Sequence, residues 1–180
     1  MPETTLIIGG SRSGKSGHAL SLGEDAAGRH NLFIATCQAG DPEMKDRIER
    51  HQKERGDQWQ TVEEPVNIAG VLEQLGPDSD IVLIDCLTLW TSNLMMHHDV
   101  DEQILNEMDR LVGIIHQPPC PVILVSNEVG LGIVPENPLA RRFRDLAGWC
   151  NQKIAGACNR VIWTVAGIPV TIKPSSGAPC

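Results

Sequence analysis

The stretch Gly9-Gly10-Ser11-Arg12-Ser13-Gly14-Lys15-Ser16 follows the apolar run Thr5-Leu6-Ile7-Ile8 and precedes a segment of helical character at residues 17–27. Gly, four residues, then Gly-Lys-Ser is the spacing of a loop that cradles nucleoside triphosphate. The glycines let the backbone curl so that its N–H groups face one concave nest. Lys15 is then placed to reach the outer phosphates, and the Ser16 hydroxyl to ligate Mg²⁺. A helix starting at the loop adds its positive end to the anion site. Strand before and helix after are the context that separates this motif from a chance Gly/Ser turn.

Outward from the loop, apolar runs alternate with helical patterns. Residues 31–36, 58–64, 80–85, 121–126 and 160–165 read as strands. Residues 41–55, 66–75, 87–96, 101–116 and 138–157 read as helices. Gly167-Ile168-Pro169 reads as a turn into a last strand at 170–173, antiparallel at the sheet edge. Such alternation predicts an α/β domain with a mostly parallel sheet and helices on both faces. We expect one domain over residues 1–173 and a mobile tail at 174–180, with no internal repeat.

Composition narrows the partners. A net charge of −8 and a pI near 5.2 argue against nucleic acid or an anionic membrane as the main partner, since both reward clustered Lys and Arg. The six cysteines show no Cys-x-x-Cys spacing and read as reduced thiols of a cytoplasmic protein. No signal-peptide pattern and no apolar run of spanning length is seen.

In a parallel sheet, ligands sit beyond the carboxyl ends of the strands. That rule selects the loop, Thr36 and Cys37, Asp85, and Asn127 with Glu128. Asp85 ends an apolar strand where an acid supporting Mg²⁺ is expected. Thr88 either assists it or caps the next helix. Asn127 and Glu128 either sense the terminal phosphate or start a turn. Arg141, Arg142 and Arg144 either reach a neighbouring subunit's site or form a solvated helix face. His51 lies on the edge of a charged helix beside Arg47, Arg50 and Arg55, a placement open to packing as much as to catalysis. No Asn-Lys-x-Asp is present to signal guanine specificity.

Several stretches together carry a family resemblance: the phosphate loop, Ile34-Ala35-Thr36, Arg47-Ile48-Glu49-Arg50-His51, Thr61-Val62-Glu63-Glu64-Pro65, Asp85-Cys86-Leu87-Thr88-Leu89-Trp90, Ser92-Asn93-Leu94 and, above all, Ser126-Asn127-Glu128-Val129-Gly130-Leu131-Gly132-Ile133-Val134-Pro135-Glu136-Asn137. From Thr5 to Lys173 the chain resembles the bifunctional adenosylcobinamide kinases and adenosylcobinamide-phosphate guanylyltransferases of cobalamin biosynthesis. The resemblance implies a RecA-like P-loop NTPase core, ATP or GTP and adenosylcobinamide as substrates, and a homotrimer. It implies phosphoryl transfer aided by Lys15, then GMP transfer from GTP through a guanylyl-histidine at His51. Nucleotide contacts are expected from Gly9, Gly10, Ser11, Arg12, Ser13, Gly14, Lys15, Ser16, Ala35, Thr36, Cys37, Gln52, Lys53, Glu54, Arg55, Glu63 and Asp85. Mg²⁺ is expected on Ser16 and Asp85. For His51 to reach the α-phosphate its helix must fold over the loop, so residues 38–64 are expected to move. The competing expectations are a small-molecule kinase without nucleotidyl transfer and a nucleotide-switch ATPase.

Overall fold

The computed structural model describes residues 1–26, 28, 30–37, 58–75 and 79–175. Its strands are β1 (Thr4–Gly9), β2 (Asn31–Ala35), β3 (Trp59–Glu63), β4 (Ile81–Asp85), β5 (Val122–Asn127), β6 (Arg160–Val165) and β7 (Ile168–Lys173). Its helices are α1 (Lys15–Ala26), α2 (Ile68–Glu73), α3 (Leu87–His97), α4 (Asp101–His116) and α5 (Pro138–Ala157).

The strands form one sheet in the order β3-β2-β4-β5-β1-β6-β7, parallel except for β7. The central strands are buried along their length, which is why β4 reads as the unbroken run Ile81-Val82-Leu83-Ile84 rather than as an alternation. One face packs on α2 to α5, with Trp90, Leu94, Met108, Leu111, Leu146 and Ile154 in its core. The other face holds Ile7, Ala19, Phe33, Leu83 and Val125, with α1 against it. Helix α4 turns Ile104, Met108, Leu111 and Ile115 inward at helical spacing, with Asp101 and Glu102 at its positive end.

Two elements differ from expectation, each for a local reason. Helix α2 is shorter than 66–75. The Glu64 carboxylate accepts the Val66 and Asn67 N–H groups at 2.8 and 2.7 Å, and Asn67 then caps by accepting from Gly70 N, so helix begins only at Ile68. The last turn is Ala166-Gly167, both at positive φ (50° and 81°), not Gly167 to Pro169. Pro169 instead pairs with Thr164 on edge strand β7, where a missing N–H is tolerated. Strand β3 lies within the expected strand at 58–64 and pairs with β2. Helix α5 coincides with the expected 138–157, Asn137 accepting from Leu139 N and Ala140 N ahead of Pro138.

The P-loop strand β1 lies between β5 and β6, and β5 separates it from the acid-bearing β4. Asp85 is thus two inter-strand spacings from the loop, about 10 Å along the sheet. That gap can hold phosphates.

Candidate active site

The loop after β1 is shaped by close backbone approach. A Cβ on Gly9 would lie 2.5 Å from both Ser13 Oγ and the Thr164 carbonyl oxygen, so no side chain fits there without moving main chain. Gly14, at φ 92°, has Gly167 of the β6–β7 turn against it, and Gly167 N donates to the Ser13 carbonyl at 2.9 Å. The hairpin therefore buttresses the loop from outside. Lys15 is buried, with Nζ donating to the Gly10 carbonyl at 3.1 Å, while Ser16 is half-buried at the first turn of α1. Two hydroxyls beside Gly9, Ser13 Oγ and Thr164 Oγ1, are buried with no hydrogen-bond partner in the structure. Such polar atoms are uncommon in a finished core, and among the described residues His18 Nε2, Trp59 Nε1 and His98 Nε2 share the condition.

The ends of β2 and β4 are tied together. Thr36 Oγ1 accepts the Cys86 N–H and donates to the Cys86 carbonyl, each at 2.8 Å, and Thr36 N donates to the Asp85 carbonyl at 3.2 Å. Asn93 of α3 donates to the Thr36 and Pro65 carbonyls at 2.8 and 3.0 Å. Ala35 pairs in register with Asp85 on one side and Glu63 on the other, so these three expected contacts stand side by side at the carboxyl edge. Burial, and then the Asp85 charge, push the Cys86 thiol up to about 11, with Lys15 acting in the opposite direction. The acid and the ammonium thus act on one buried sulfur. Cys86 itself is no nucleophile near neutral pH.

At the tip of β5, Thr88 does not cap α3. Its Oγ1 accepts the Asn127 N–H at 2.7 Å, and Glu128 N donates to the Gly9 carbonyl at 3.0 Å. Asn127 and Glu128 therefore stand against the loop, Gly9 and Asn127 being partners in the parallel register. The Arg141-Arg142-Phe143-Arg144 stretch is engaged internally. Arg141 donates to the Pro135 and Glu136 carbonyls, Arg142 pairs with Asp101 at 2.7 Å, and Arg144 pairs with Asp145 at 3.0 Å. Sequence reasoning misses Asn151, which sits on α5 yet reaches Ser126 and Asn127. An asparagine at a buried helix position, 7% exposed, is the one signal that marks it.

His51, Gln52, Lys53, Glu54 and Arg55, with the whole helix expected at 41–55, lie outside the described residues, as do residues 176–180. Among the described residues no helix is long and apolar enough to cross a membrane. No group of three or more His, Cys, Asp and Glu side chains among them could hold a metal ion.

Residues 5–172 match the family described as cobinamide kinase / cobinamide phosphate guanyltransferase. The chain is 45% identical to the bifunctional adenosylcobalamin biosynthesis protein CobP of Pseudomonas aeruginosa, over 93% of this chain and 96% of the relative. It is 41% identical to the bifunctional adenosylcobalamin biosynthesis protein CobU of Escherichia coli K12, over 93% of this chain and 98% of the relative. Among solved structures it is similar to the flagellar accessory protein FlaH of Methanocaldococcus jannaschii, with a TM-score of 0.50 and 12% identity over 96% of this chain and 79% of that one. The last likeness concerns the fold alone.

Proposed function

Because the chain belongs to the cobinamide kinase / cobinamide phosphate guanyltransferase family, it is an enzyme with both activities in cobalamin biosynthesis, and we propose that one phosphate cradle serves both. The carrying observation is the loop after β1, with buried Lys15 inside it and Asp85 one strand beyond its neighbour. In the first reaction the acceptor hydroxyl of adenosylcobinamide attacks the γ-phosphorus of ATP or GTP. An O–P bond forms, the bridge to the diphosphate breaks with its electron pair on the diphosphate, and the hydroxyl proton goes to solvent. Such transfer needs mainly positioning and charge neutralisation. Gly9 to Ser16 offer N–H groups and Lys15 offers a charge close to the transferring group.

The donor set fits Mg²⁺ held chiefly by the nucleotide. A hydroxyl (Ser16) and a carboxylate (Asp85) are hard oxygen ligands of the kind that bind this ion with phosphates and water rather than in a protein cage. When bound, the ion neutralises phosphate charge. Ser16 and Asp85 orient it, and Thr36, through its two bonds to Cys86, holds the chain next to Asp85 in place.

For guanylyl transfer we assign His51 as the nucleophile. A neutral imidazole attacks the α-phosphorus of GTP and pyrophosphate leaves. The phosphate of adenosylcobinamide phosphate then takes the GMP and frees the imidazole. Gln52, Lys53, Glu54, Arg55 and Glu63 are assigned to the guanine nucleotide, in a cytoplasmic homotrimer. The deciding experiment uses GTP labelled at the α-phosphate. Label should stay on the protein in alkali, leave in acid and be absent from His51→Ala, while mass spectrometry shows adenosyl-GDP-cobinamide from adenosylcobinamide, GTP and Mg²⁺. Phosphorylated cobinamide without labelled protein would leave a kinase alone. Nucleotide turnover that ignores cobinamide would leave a switch ATPase.

A further inference from the structure

Four hydrogen bonds at the tip of β5 close into a ring. Asn127 N donates to Thr88 Oγ1 at 2.7 Å, Ser126 Oγ donates to Asn151 Oδ1 at 2.6 Å, and Asn151 Nδ2 donates to the Asn127 carbonyl at 3.1 Å. The fourth contact joins Thr88 Oγ1 and Ser126 Oγ at 3.3 Å. Its direction follows from proton accounting. Ser126 has one hydroxyl proton and gives it to an amide oxygen that can only accept, so Thr88 must be the donor. Every member therefore donates once and accepts once around the circle. Bonds in such a chain polarise one another.

The three side chains come from α3, β5 and α5, and their residues are only 7%, 1% and 7% exposed. What they hold is the main chain of Asn127, both N–H and carbonyl, leaving its side-chain amide outside the ring. The next N–H, of Glu128, is bound to Gly9, the first residue of the phosphate loop. Asn127 is thus fixed against the cradle from two sides. Packing alone does not require this, since alanine or leucine would fill a helix position at lower desolvation cost.

We propose that the Asn127 amide contacts the terminal phosphate during phosphoryl transfer, and that Thr88, Ser126 and Asn151 are positioning residues that aim it. The proposal rests on the kinase reading above and separates the two reactions. When the acceptor oxygen bonds to the γ-phosphorus and the diphosphate leaves, charge shifts at the phosphoryl group the amide touches. The contact then acts on kcat. In guanylyl transfer the bond to the α-phosphorus breaks and the terminal phosphate leaves within pyrophosphate, so the same contact counts equally before and during reaction. It then acts on KM.

The test measures kcat and KM of both reactions in the full chain for Asn151→Ala, Asn127→Ala, Thr88→Val and Thr88→Ser. Asn151→Ala, Asn127→Ala and Thr88→Val should lower the kinase kcat on the order of 10²-fold, as expected for a misplaced group. Guanylyl-transfer kcat should stay within about threefold with KM for GTP raised. Thr88→Ser keeps the ring hydroxyl and should restore the kinase to within about threefold of wild type. Equal losses of kcat in both reactions would overturn the proposal, as would Thr88→Ser behaving like Thr88→Val. Should Asn151→Ala not fold, Asn127→Ala decides, because it leaves every ring bond in place, and an unchanged kinase kcat there refutes the assignment. A wild-type enzyme without guanylyl transfer would sink the dual reading only. Asn127→Ala and the Thr88 pair would still decide the inference through the kinase kcat.

Discussion

Two closures built from threonine and asparagine stand at opposite ends of the sheet. At the amino end, Thr4 N and Thr4 Oγ1 both donate to Asn159 Oδ1, at 2.9 and 2.8 Å, while Asn159 N donates to Thr4 Oγ1 at 3.0 Å. At the carboxyl end, the ring of Thr88, Ser126 and Asn151 binds both main-chain groups of Asn127. The first closes on itself and joins the start of β1 to the turn before β6. The second fixes the main chain of Asn127, the partner of Gly9 in the parallel register, and leaves its side-chain amide out of the ring. Similar donors and acceptors thus do two jobs, and what divides them is whether the closure presents a group.

The strongest way to break this contrast is at the cradle. Gly9→Ala sets a methyl 2.5 Å from the Ser13 hydroxyl and from the Thr164 carbonyl, and the latter is main chain that cannot rotate aside. Nucleotide binding by calorimetry should disappear. Lys15→Ala removes the buried ammonium without adding bulk, and kinase turnover should fall on the order of 10³-fold, the scale of losing a charge-stabilising donor. A Lys15→Ala enzyme with kinase turnover within tenfold of wild type would deny the cradle its role.

The amino-end clasp should give the opposite pattern. Asn159→Ala leaves the buried Thr4 N–H and the Thr4 hydroxyl proton without their acceptor, so stability should drop by about 1–3 kcal/mol, read as a fall of about 2–4 °C in Tm per kcal/mol. Both kcat values should be unchanged at a temperature where the variant is folded. A selective kinase defect in Asn159→Ala would erase the distinction between the two ends.

A smaller effect concerns thiols at both ends. Burial pushes Cys86, near the site, up to about 11, and pushes Cys158, behind Thr4, up to about 12. Cys150 is likewise pushed up to about 12. All three stay protonated at about pH 8, where the thiolate is the reactive form. Alkylation of native protein followed by peptide mass spectrometry should spare Cys86, Cys150 and Cys158, and label them only after unfolding. Rapid native labelling of Cys86 alone would show the carboxyl end to be wetter than its hydrogen bonds imply.

Much of the carboxyl end is legible in the sequence itself, because the informative residues are close together along the chain. The phosphate loop is eight consecutive residues, Asp85 ends an apolar run, and Asn127 follows a strand. The topology rule needs only the strand ends. Asn151 is not legible: it lies 24 positions from Asn127, within the helix at 138–157, and only packing of α5 against the sheet brings it to the ring. Thr88 is ambiguous because a threonine in a first helical turn reads equally as a cap. The start of α2 escapes the helical pattern because Glu64 competes for N–H groups that a helix would otherwise use. The Ala166-Gly167 turn is displaced by one residue because Pro169 suggests a turn where an edge strand accepts it.

The smallest expected effect is one of pH. Neither closure contains a group that titrates between about pH 5.5 and 7.5, so Asn151→Ala and Asn159→Ala should each lower Tm by the same amount at both ends of that range. His18 on α1 behaves differently. Burial first, and the charge of Arg160 second, lower its pKa below the ordinary value of 6.5. In the unfolded chain it gains a proton as pH falls through about 6.5, while in the folded protein it does so only at lower pH. Between these values the unfolded state binds more protons, so stability falls with falling pH across that window and is independent of His18 above it. His18→Gln should flatten the decline of Tm between about pH 6.5 and 5.5 and leave the values near pH 7.5 parallel to wild type. A His18→Gln protein that keeps the full decline would assign the acid sensitivity to another group, and a decline that vanishes in Asn159→Ala instead would move it to the amino-end clasp.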